Sequence, residues 1–296
     1  MRVALVVNPF ATRVSSKRLA SVREELGRVA ELEVFLTERP GHATELVTEV
    51  GRGGAEAVVI FSGDGGFNEA LNGLESDVPI GFLPGGGTSV LSRALGLPRD
   101  SVAAARQVAD ALAVGRTRRI SVGRVNGRRF AFGAGIGLDA EMVRRVDGLG
   151  RGDDGKRPGD LAFAIALVRV LAARHGRIET ELEIDGLGRA GAVFVANGSP
   201  YTYAGRLPLP MVREATFEQG LDLVAPVAVA PATLPFTVAR VLSGRVRGKR
   251  FLRGHDLDRI DVHCDVPLPL HADGEDLGDV EHATFEAERA AVSVLV

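Results

Sequence analysis

Two short segments concentrate glycine around polar side chains: Ser62-Gly63-Asp64-Gly65-Gly66 and Pro84-Gly85-Gly86-Gly87-Thr88-Ser89. Without a Cβ, glycine lets backbone N–H groups come close to an anion, and the start of a helix adds a favourable dipole. Both loops are therefore shaped for phosphate. Asp64 would repel that phosphate unless a divalent cation lay between them, so the combination points to a Mg2+-nucleotide, most simply Mg-ATP. No Gly-Lys-Ser/Thr follows either loop and neither has the G-x-G-x-x-G spacing, which removes the P-loop and dinucleotide readings. Far downstream, Asp273-Gly274-Glu275 sets two carboxylates across a turn signal. Taken alone, that triplet is an ordinary β-turn.

These residues need elements to hold them. Apolar runs at Val3–Val7, Leu32–Leu36, Ala57–Phe61 and Ile80–Leu83 alternate with helical patterns near 17–28, 43–52, 67–74, 89–95 and 101–114. Short apolar strands without polar alternation suit a parallel sheet covered on both faces, with binding loops at the carboxyl ends of its strands. After Arg116 the texture turns to successive strands. Val122–Val125 and Arg128–Phe132 flank Asn126-Gly127, a type I′ hairpin signal. Ile178–Ile184 and Ala192–Ala196 are expected to flank the turn at Asp185-Gly186, with further strands at 221–227, 260–263, 268–272 and 291–295 and helices near 161–173 and 232–242. The boundary is placed near Arg119, giving domains 1–118 and 119–296. The segment Asp147–Asp160, rich in glycine and aspartate, has too little apolar surface to offset its ordering entropy, and a mobile insertion or lid is expected there.

The run Ser62-Gly63-Asp64-Gly65-Gly66-Phe67-Asn68-Glu69-Ala70-Leu71-Asn72-Gly73-Leu74 resembles the G-G-D-G-T-x-N-E-V-x-N-G-L signature of the diacylglycerol kinase catalytic domain family, which includes sphingosine kinases. Asn8-Pro9 is similar to its N-P motif, Thr37 with His42-Ala43 to T-x-x-x-x-H-A, and Leu83–Thr88 to L-P-x-G-T-x-N. Gly135–Ala140 is similar to G-x-G-x-D-A and Asp273-Gly274-Glu275 to D-G-E. The resemblance implies an α/β protein: an N-terminal three-layer α/β nucleotide-binding domain of the NAD kinase/diacylglycerol kinase type, then a mainly antiparallel β-sandwich domain. It implies transfer of the ATP γ-phosphate to a lipid hydroxyl, with ATP and Mg2+ as cofactors. By position, Asn8, Pro9, Thr37, Ser62, Gly63, Asp64, Gly65, Gly66, Asn68, Glu69, Gly86, Gly87 and Thr88 would contact ATP. Asp64 would also serve the metal and the catalysis, and Asp139 the acceptor. Asp273 or Glu275 would be the general base that accepts the hydroxyl proton, Glu275 favoured for reach.

Departures from the pattern are informative. Thr12 stands where N-P-x-x-G has glycine, Ser62 replaces the first glycine of G-G-D-G-T, Gly66 replaces its threonine, and Ser89 stands where asparagine is usual. The Gly66 change would remove a hydroxyl ligand. Glu218-Gln219-Gly220-Leu221-Asp222 resembles a D-G-x-L-D segment that holds a structural Mg2+ in some bacterial members, with Glu218 the nominal ligand although Asp-Gly is lost.

Composition bounds the rest. A chain of 296 residues is better read as two domains than one. With 36 Lys+Arg against 38 Asp+Glu the net charge is -2, so nucleic acid is not an expected partner. One cysteine excludes an intramolecular disulfide and suits a reducing cytoplasm. No uncharged run suits a spanning helix, because Pro226, Pro231 and Pro235 interrupt 223–239. That stretch is a candidate lining for an acyl chain. Two acid-free arginine stretches, 116–129 and 240–253, suit an anionic leaflet. The expected setting is thus cytoplasmic, peripheral to the inner face of the cell membrane, with a lipid substrate at an anionic surface and a homodimer left open. Competing readings are a sphingosine- or ceramide-type kinase, an NAD kinase, and an inactive nucleotide- or lipid-binding homologue.

Overall fold

Runs of β-branched and large apolar residues at Arg2–Val7, Glu31–Leu36, Ala57–Ser62 and Ile80–Pro84 form strands β1 to β4, and β3 and β4 are buried along their whole length. Burial on both faces is what such uninterrupted apolar runs encode in a parallel sheet. Here β2, β1, β3 and β4 lie side by side in that order, all parallel. The outer strand β2 instead carries Glu31 and Glu33, charges that discourage edge pairing. Helices α1 (Ser16–Gly27), α2 (His42–Arg52), α3 (Asp64–Gly73), α4 (Val90–Ala94) and α5 (Ser101–Val114) connect the strands. Ala43, Leu46, Val47 and Val50 give α2 a buried stripe at helical spacing. Asp100 caps α5 by accepting the N–H groups of Val102 and Ala103.

The computed structural model describes residues 1–75, 77–148, 160–173 and 175–296. They form two units, Met1–Ile120 together with Ala290–Val296, and Ser121–Arg289. The last seven residues, assigned on sequence to the second domain, belong with the first: Val294 pairs in parallel with Ile80, and Val292, Val294 and Leu295 are buried.

The second unit is mainly antiparallel. Its strands are β5 (Arg118–Val125), β6 (Arg128–Phe130), β7 (Gly133–Ile136), β8 (Leu182–Ile184), β9 (Gly188–Ala190), β10 (Val193–Ala196), β11 (Thr202–Ala204), β12 (Leu207–Leu209), β13 (Leu221–Pro226), β14 (Phe251–Leu257), β15 (Arg259–Ala272) and β16 (Glu275–Val294). Helices α6 (Leu138–Asp147), α7 (Asp160–Ala173) and α8 (Leu234–Leu242) accompany them. The main path runs β14-β13-β10-β7-β15-β16. Alternation sorts its side chains: Val193 and Val195 join Leu221, Leu223 and Phe285 in one core, whereas Phe194 and Ala196 join Val170 of α7 and Val241 of α8 in another. An α/β unit followed by a mainly antiparallel β unit is the expected fold class.

The β5–β6 hairpin turns at Asn126 and Gly127, with φ of 46° and 89°, the positive pair that a type I′ turn demands. Other expectations shift. Leu182–Ile184 pairs with Gly188–Ala190 across Asp185-Gly186, while β10 pairs with β7 and β13 instead. The strands expected at 260–263 and 268–272 are one strand, β15, whose register breaks between His263 and Leu268. Such a bulge accommodates Pro267 and Pro269. The lid expected over 147–160 falls largely on residues 149–159, outside the described residues.

Candidate active site

In the first unit, Ser62 at the end of β3 pairs in register with Pro84 at the end of β4, so the two glycine turns are neighbours. They pack backbone to backbone. A Cβ on Gly86 would lie 2.8 Å from Gly63 Cα, and the Gly85 N–H donates to Ser62 O at 2.7 Å. The helix starts earlier than the sequence pattern implies: Gly63 is the N-cap of α3, and Asp64, Gly65 and Gly66 are its first turn. No side chain caps α3. The N–H groups of Gly65 and Gly66 therefore stand without partners among the described residues, where the helix dipole favours an anion. Ser62 Oγ beside them is buried and likewise has no hydrogen-bond partner. Gly87 is exposed with nothing within 4 Å of a built Cβ. Unpaired donors, an orphaned hydroxyl and an open glycine are a donor set that fits the phosphates of a nucleotide.

Asp64 Oδ1 accepts from Leu91 N at 3.1 Å, joining the starts of α3 and α4. Asp64 is the one carboxylate in the two glycine turns, so a divalent cation held there would draw on it. Asn8 follows β1: its N–H donates to Phe61 O, and its side chain accepts from Phe10 N in a local turn, with Pro9 exposed beside it. Thr37 is buried at the end of β2, and its N–H donates to Val7 O. Thr88 is half-buried in the second turn.

Two residues expected at the nucleotide hold the scaffold instead. Glu69 Oε2 accepts from Ala43 N at 3.1 Å, capping the start of α2, and Glu69 O accepts from Thr44 Oγ1. Asn68 is fully buried and accepts from Asn72 Nδ2. The N-E-x-x-N-G part of the motif thus locks α3 against α2. Cations that the motif reading missed lie close by. A cavity of about 470 Å3 is lined by Thr12, Arg13, Ser15, Arg18 and Arg99, and Arg13 N donates to Gly85 O. The three arginines make no side-chain ion pair or hydrogen bond among the described residues. They are scattered in sequence, and only the fold gathers them.

In the second unit the two carboxylates of the Asp273-Gly274-Glu275 turn have opposite surroundings. Asp273 is buried, with φ 48°, and accepts the N–H groups of Ala131 at 2.6 Å, Phe132 at 3.0 Å and Gly133 at 3.2 Å. It clamps the turn to the start of β7. Glu275 is about a third exposed and is ion-paired with Arg128. Spacing alone could not separate the pair, whereas burial does.

Asp139, expected at the acceptor, is buried in the first turn of α6. Its Oδ2 accepts from Tyr201 OH at 2.5 Å and lies 2.7 Å from His271 Nε2, and His271 Nδ1 is buried without a partner. Burial pushes the Asp139 carboxyl up, but the attraction and hydrogen bond of His271, with the Tyr201 hydroxyl, outweigh it and hold the group below its ordinary range. Burial first, then the Asp139 charge, pushes Tyr201 well above an ordinary phenol. This network ties α6 to β15 and engages Oδ2 of Asp139, while Oδ1 makes no hydrogen bond among the described residues.

Glu218 is exposed and lies outside the group of ligand-type atoms that stand at metal spacing among the described residues, Glu214, Asp222 and His255. Within that group the carboxylates already have partners: His255 Nδ1 is 3.0 Å from both oxygens of Asp222, and Arg253 donates to Glu214 at 2.5 Å. Arg253 and His255 occupy the carboxylates where the D-G-x-L-D pattern implies a metal, so the donor set does not fit a structural Mg2+.

Residues 2–125 match the family model of the diacylglycerol kinase catalytic domain. That match spans nearly all of the first unit, which resembles the family's catalytic domain over that length. Among curated proteins, a diacylglycerol kinase of Bacillus subtilis is 30% identical over 190 residues, 62% of this chain and 60% of that protein. Sphingosine kinase 1 of Rattus norvegicus is 35% identical over 105 residues, 32% of this chain and 27% of that protein. The chain therefore spans less than two thirds of these relatives' lengths. Among solved structures, a diacylglycerol kinase from Bacillus anthracis has a TM-score of 0.72 at 19% identity, covering 99% of this chain and 96% of that one. An NAD kinase from Archaeoglobus fulgidus in complex with ATP has a TM-score of 0.55 at 15% identity, covering 100% and 94%. Both likenesses establish the fold. No helix among the described residues is long and apolar enough to cross a membrane.

Proposed function

We propose that the chain is an ATP-dependent lipid kinase that phosphorylates the hydroxyl of a diacylglycerol-like acceptor. The uncapped first turn of α3, with Gly65 and Gly66 N–H groups unpaired and Ser62 Oγ orphaned beside them, is the observation that carries this reading. ATP, when bound, supplies the transferable phosphoryl group, and Mg2+ offsets its charge. Phosphate binding falls to the α3 and Gly85–Thr88 turns, with Arg13, Arg18 and Arg99 as nearby cations. Proton acceptance falls to Glu275, the accessible carboxylate of its turn, with Arg128 orienting it. The family match of the first unit and the named relatives support the acceptor class.

The similarity to a sphingosine kinase keeps a long-chain amino alcohol in view, and the likeness to an NAD kinase fold keeps NAD in view. Incubating the chain with radiolabelled ATP and Mg2+ against diacylglycerol, monoacylglycerol, sphingosine, ceramide and NAD decides among them. Label in diacylglycerol is expected. Label in NAD alone would overturn the lipid reading, and nucleotide binding without any labelled acceptor would make the chain a binding protein.

A further inference from the structure

The two arginine stretches have different fates. Between 116 and 129 the guanidinium groups find distant partners: Arg116 meets Val296 O, Arg119 meets Asp77, Arg124 and Arg129 meet Glu288, and Arg128 meets Glu275. Between 240 and 253 they gather instead around a cavity of about 890 Å3 within the second unit, a volume typical of small-molecule sites. Arg213, Arg240, Arg245, Arg247 and Arg253 line it against a single acidic residue, Glu214, which Arg253 already engages. Arg245 and Arg247 are exposed and make no side-chain ion pair or hydrogen bond among the described residues.

The rim is built rather than loose. Arg240 Nε and Nη2 donate to the carbonyls of Arg245 and Arg247 at 3.0 and 3.1 Å, and Arg245 N donates back to Arg240 O. The same guanidinium lies 5.2 Å from the Phe236 ring centroid and 5.8 Å from that of Phe251. Arg213 Nε holds Ser243 O at 3.0 Å. One wall is apolar: Val212, Val224 and Val246 are buried aliphatics of one core, and Phe236 beside them is 60% exposed.

We propose that this cavity binds a phosphomonoester lipid, its headgroup on the arginine rim and its acyl chain against Phe236 and the aliphatic wall. A phosphomonoester carries close to two negative charges and accepts paired guanidinium hydrogen bonds. An aliphatic wall offers nothing to a base edge, which favours a lipid over RNA. Neither Asp273 nor Glu275 lines the cavity, so it is a site separate from the acceptor turn.

Calorimetry on the full chain tests this with lysophosphatidate below its micellar concentration, glycerol 3-phosphate, monoacylglycerol and a short single-stranded RNA. Lysophosphatidate is expected to bind at least about tenfold more tightly than any of the others, because only it engages both rim and wall. The double variant Arg245→Gln/Arg247→Gln is expected to weaken that binding by about tenfold or more with an unchanged thermal midpoint, since neither side chain supports the fold. Equal binding of glycerol 3-phosphate, of monoacylglycerol or of RNA would overturn the assignment, as would undiminished lysophosphatidate binding in the variant. Binding is read without turnover, so this result stands apart from that of the phosphotransfer assay.

Discussion

A Cβ built on Gly66 would lie 2.2 Å from Ser62 Oγ, so the serine hydroxyl fills the space that a side chain at residue 66 would need. The Ser62 hydroxyl thus stands beside residue 66, where the family pattern has threonine. Gly66→Thr alone should cost about 1–3 kcal/mol by overpacking, and adding Ser62→Gly should recover most of it. Urea unfolding of the four proteins of the cycle measures the coupling, and additive effects would refute it. The two carboxylates of the acceptor turn should also separate experimentally. Asp273→Asn should lower stability by about 3 kcal/mol, because its charged acceptor serves three backbone donors. Glu275→Gln should leave the unfolding midpoint nearly unchanged while lowering phosphotransfer at least about a hundredfold. Paired denaturation and transfer assays check both. Motif spacing exposed these residues but not their division of labour, because burial and hydrogen-bond partners come from residues some 140 positions away.

Helix α3 shows how a close approach overrides local propensity. Helix propensity would favour alanine over glycine at residue 73 by about 1 kcal/mol. A Cβ there would sit 2.2 Å from the Thr44 carbonyl oxygen of α2, a backbone atom that cannot step aside. Overpacking of about 1–3 kcal/mol should win, so Gly73→Ala destabilises. Gly27 at the end of α1 has nothing within 4 Å, and Gly27→Ala should stabilise by roughly 0.5–1 kcal/mol. Opposite shifts in the urea midpoint are the expected result.

Strands β13 and β14 are tied by Asp222 and His255, and the hydrogen bond and then the charge of Asp222 raise the His255 pKa. A raised folded-state pKa means the stabilisation is complete below the unfolded value near about 6.5 and is lost as pH rises through the folded one. The stability gap between wild type and His255→Gln should therefore shrink from pH 5.5 to pH 9, and a constant gap would refute the pairing. Strands β1 to β4 were legible because burial on both faces writes an unbroken apolar run. Strand β14 and most of β16 were not, since few of their residues are buried and charged and small residues break up any apolar run. Helix α6 was not legible as an element, because Gly135 and Gly137 precede it and glycine-rich sequence follows it.

At the scale of the whole chain, composition argued for two units, but contiguity misled about which residues belong to each. The chain leaves the first unit after Ile120 and returns to it at Ala290. Val292, Val294 and Leu295 are buried there, each contributing about 1.5–3 kcal/mol. A chain ending at Arg289 should therefore lose the cooperative unfolding of the first unit and partition into aggregates, whereas Val296 alone should be dispensable. Soluble yield and calorimetry of the two truncations check this. The same return sets a timetable for biogenesis. A ribosome adds about 5–20 residues each second, and domains near the amino terminus ordinarily fold while the rest is still being made. In this protein the first unit cannot close until residues 290–296 have been made, long after Ile120, and until then the Ile80 carbonyl lacks its Leu295 partner and that strand edge stays open to other chains.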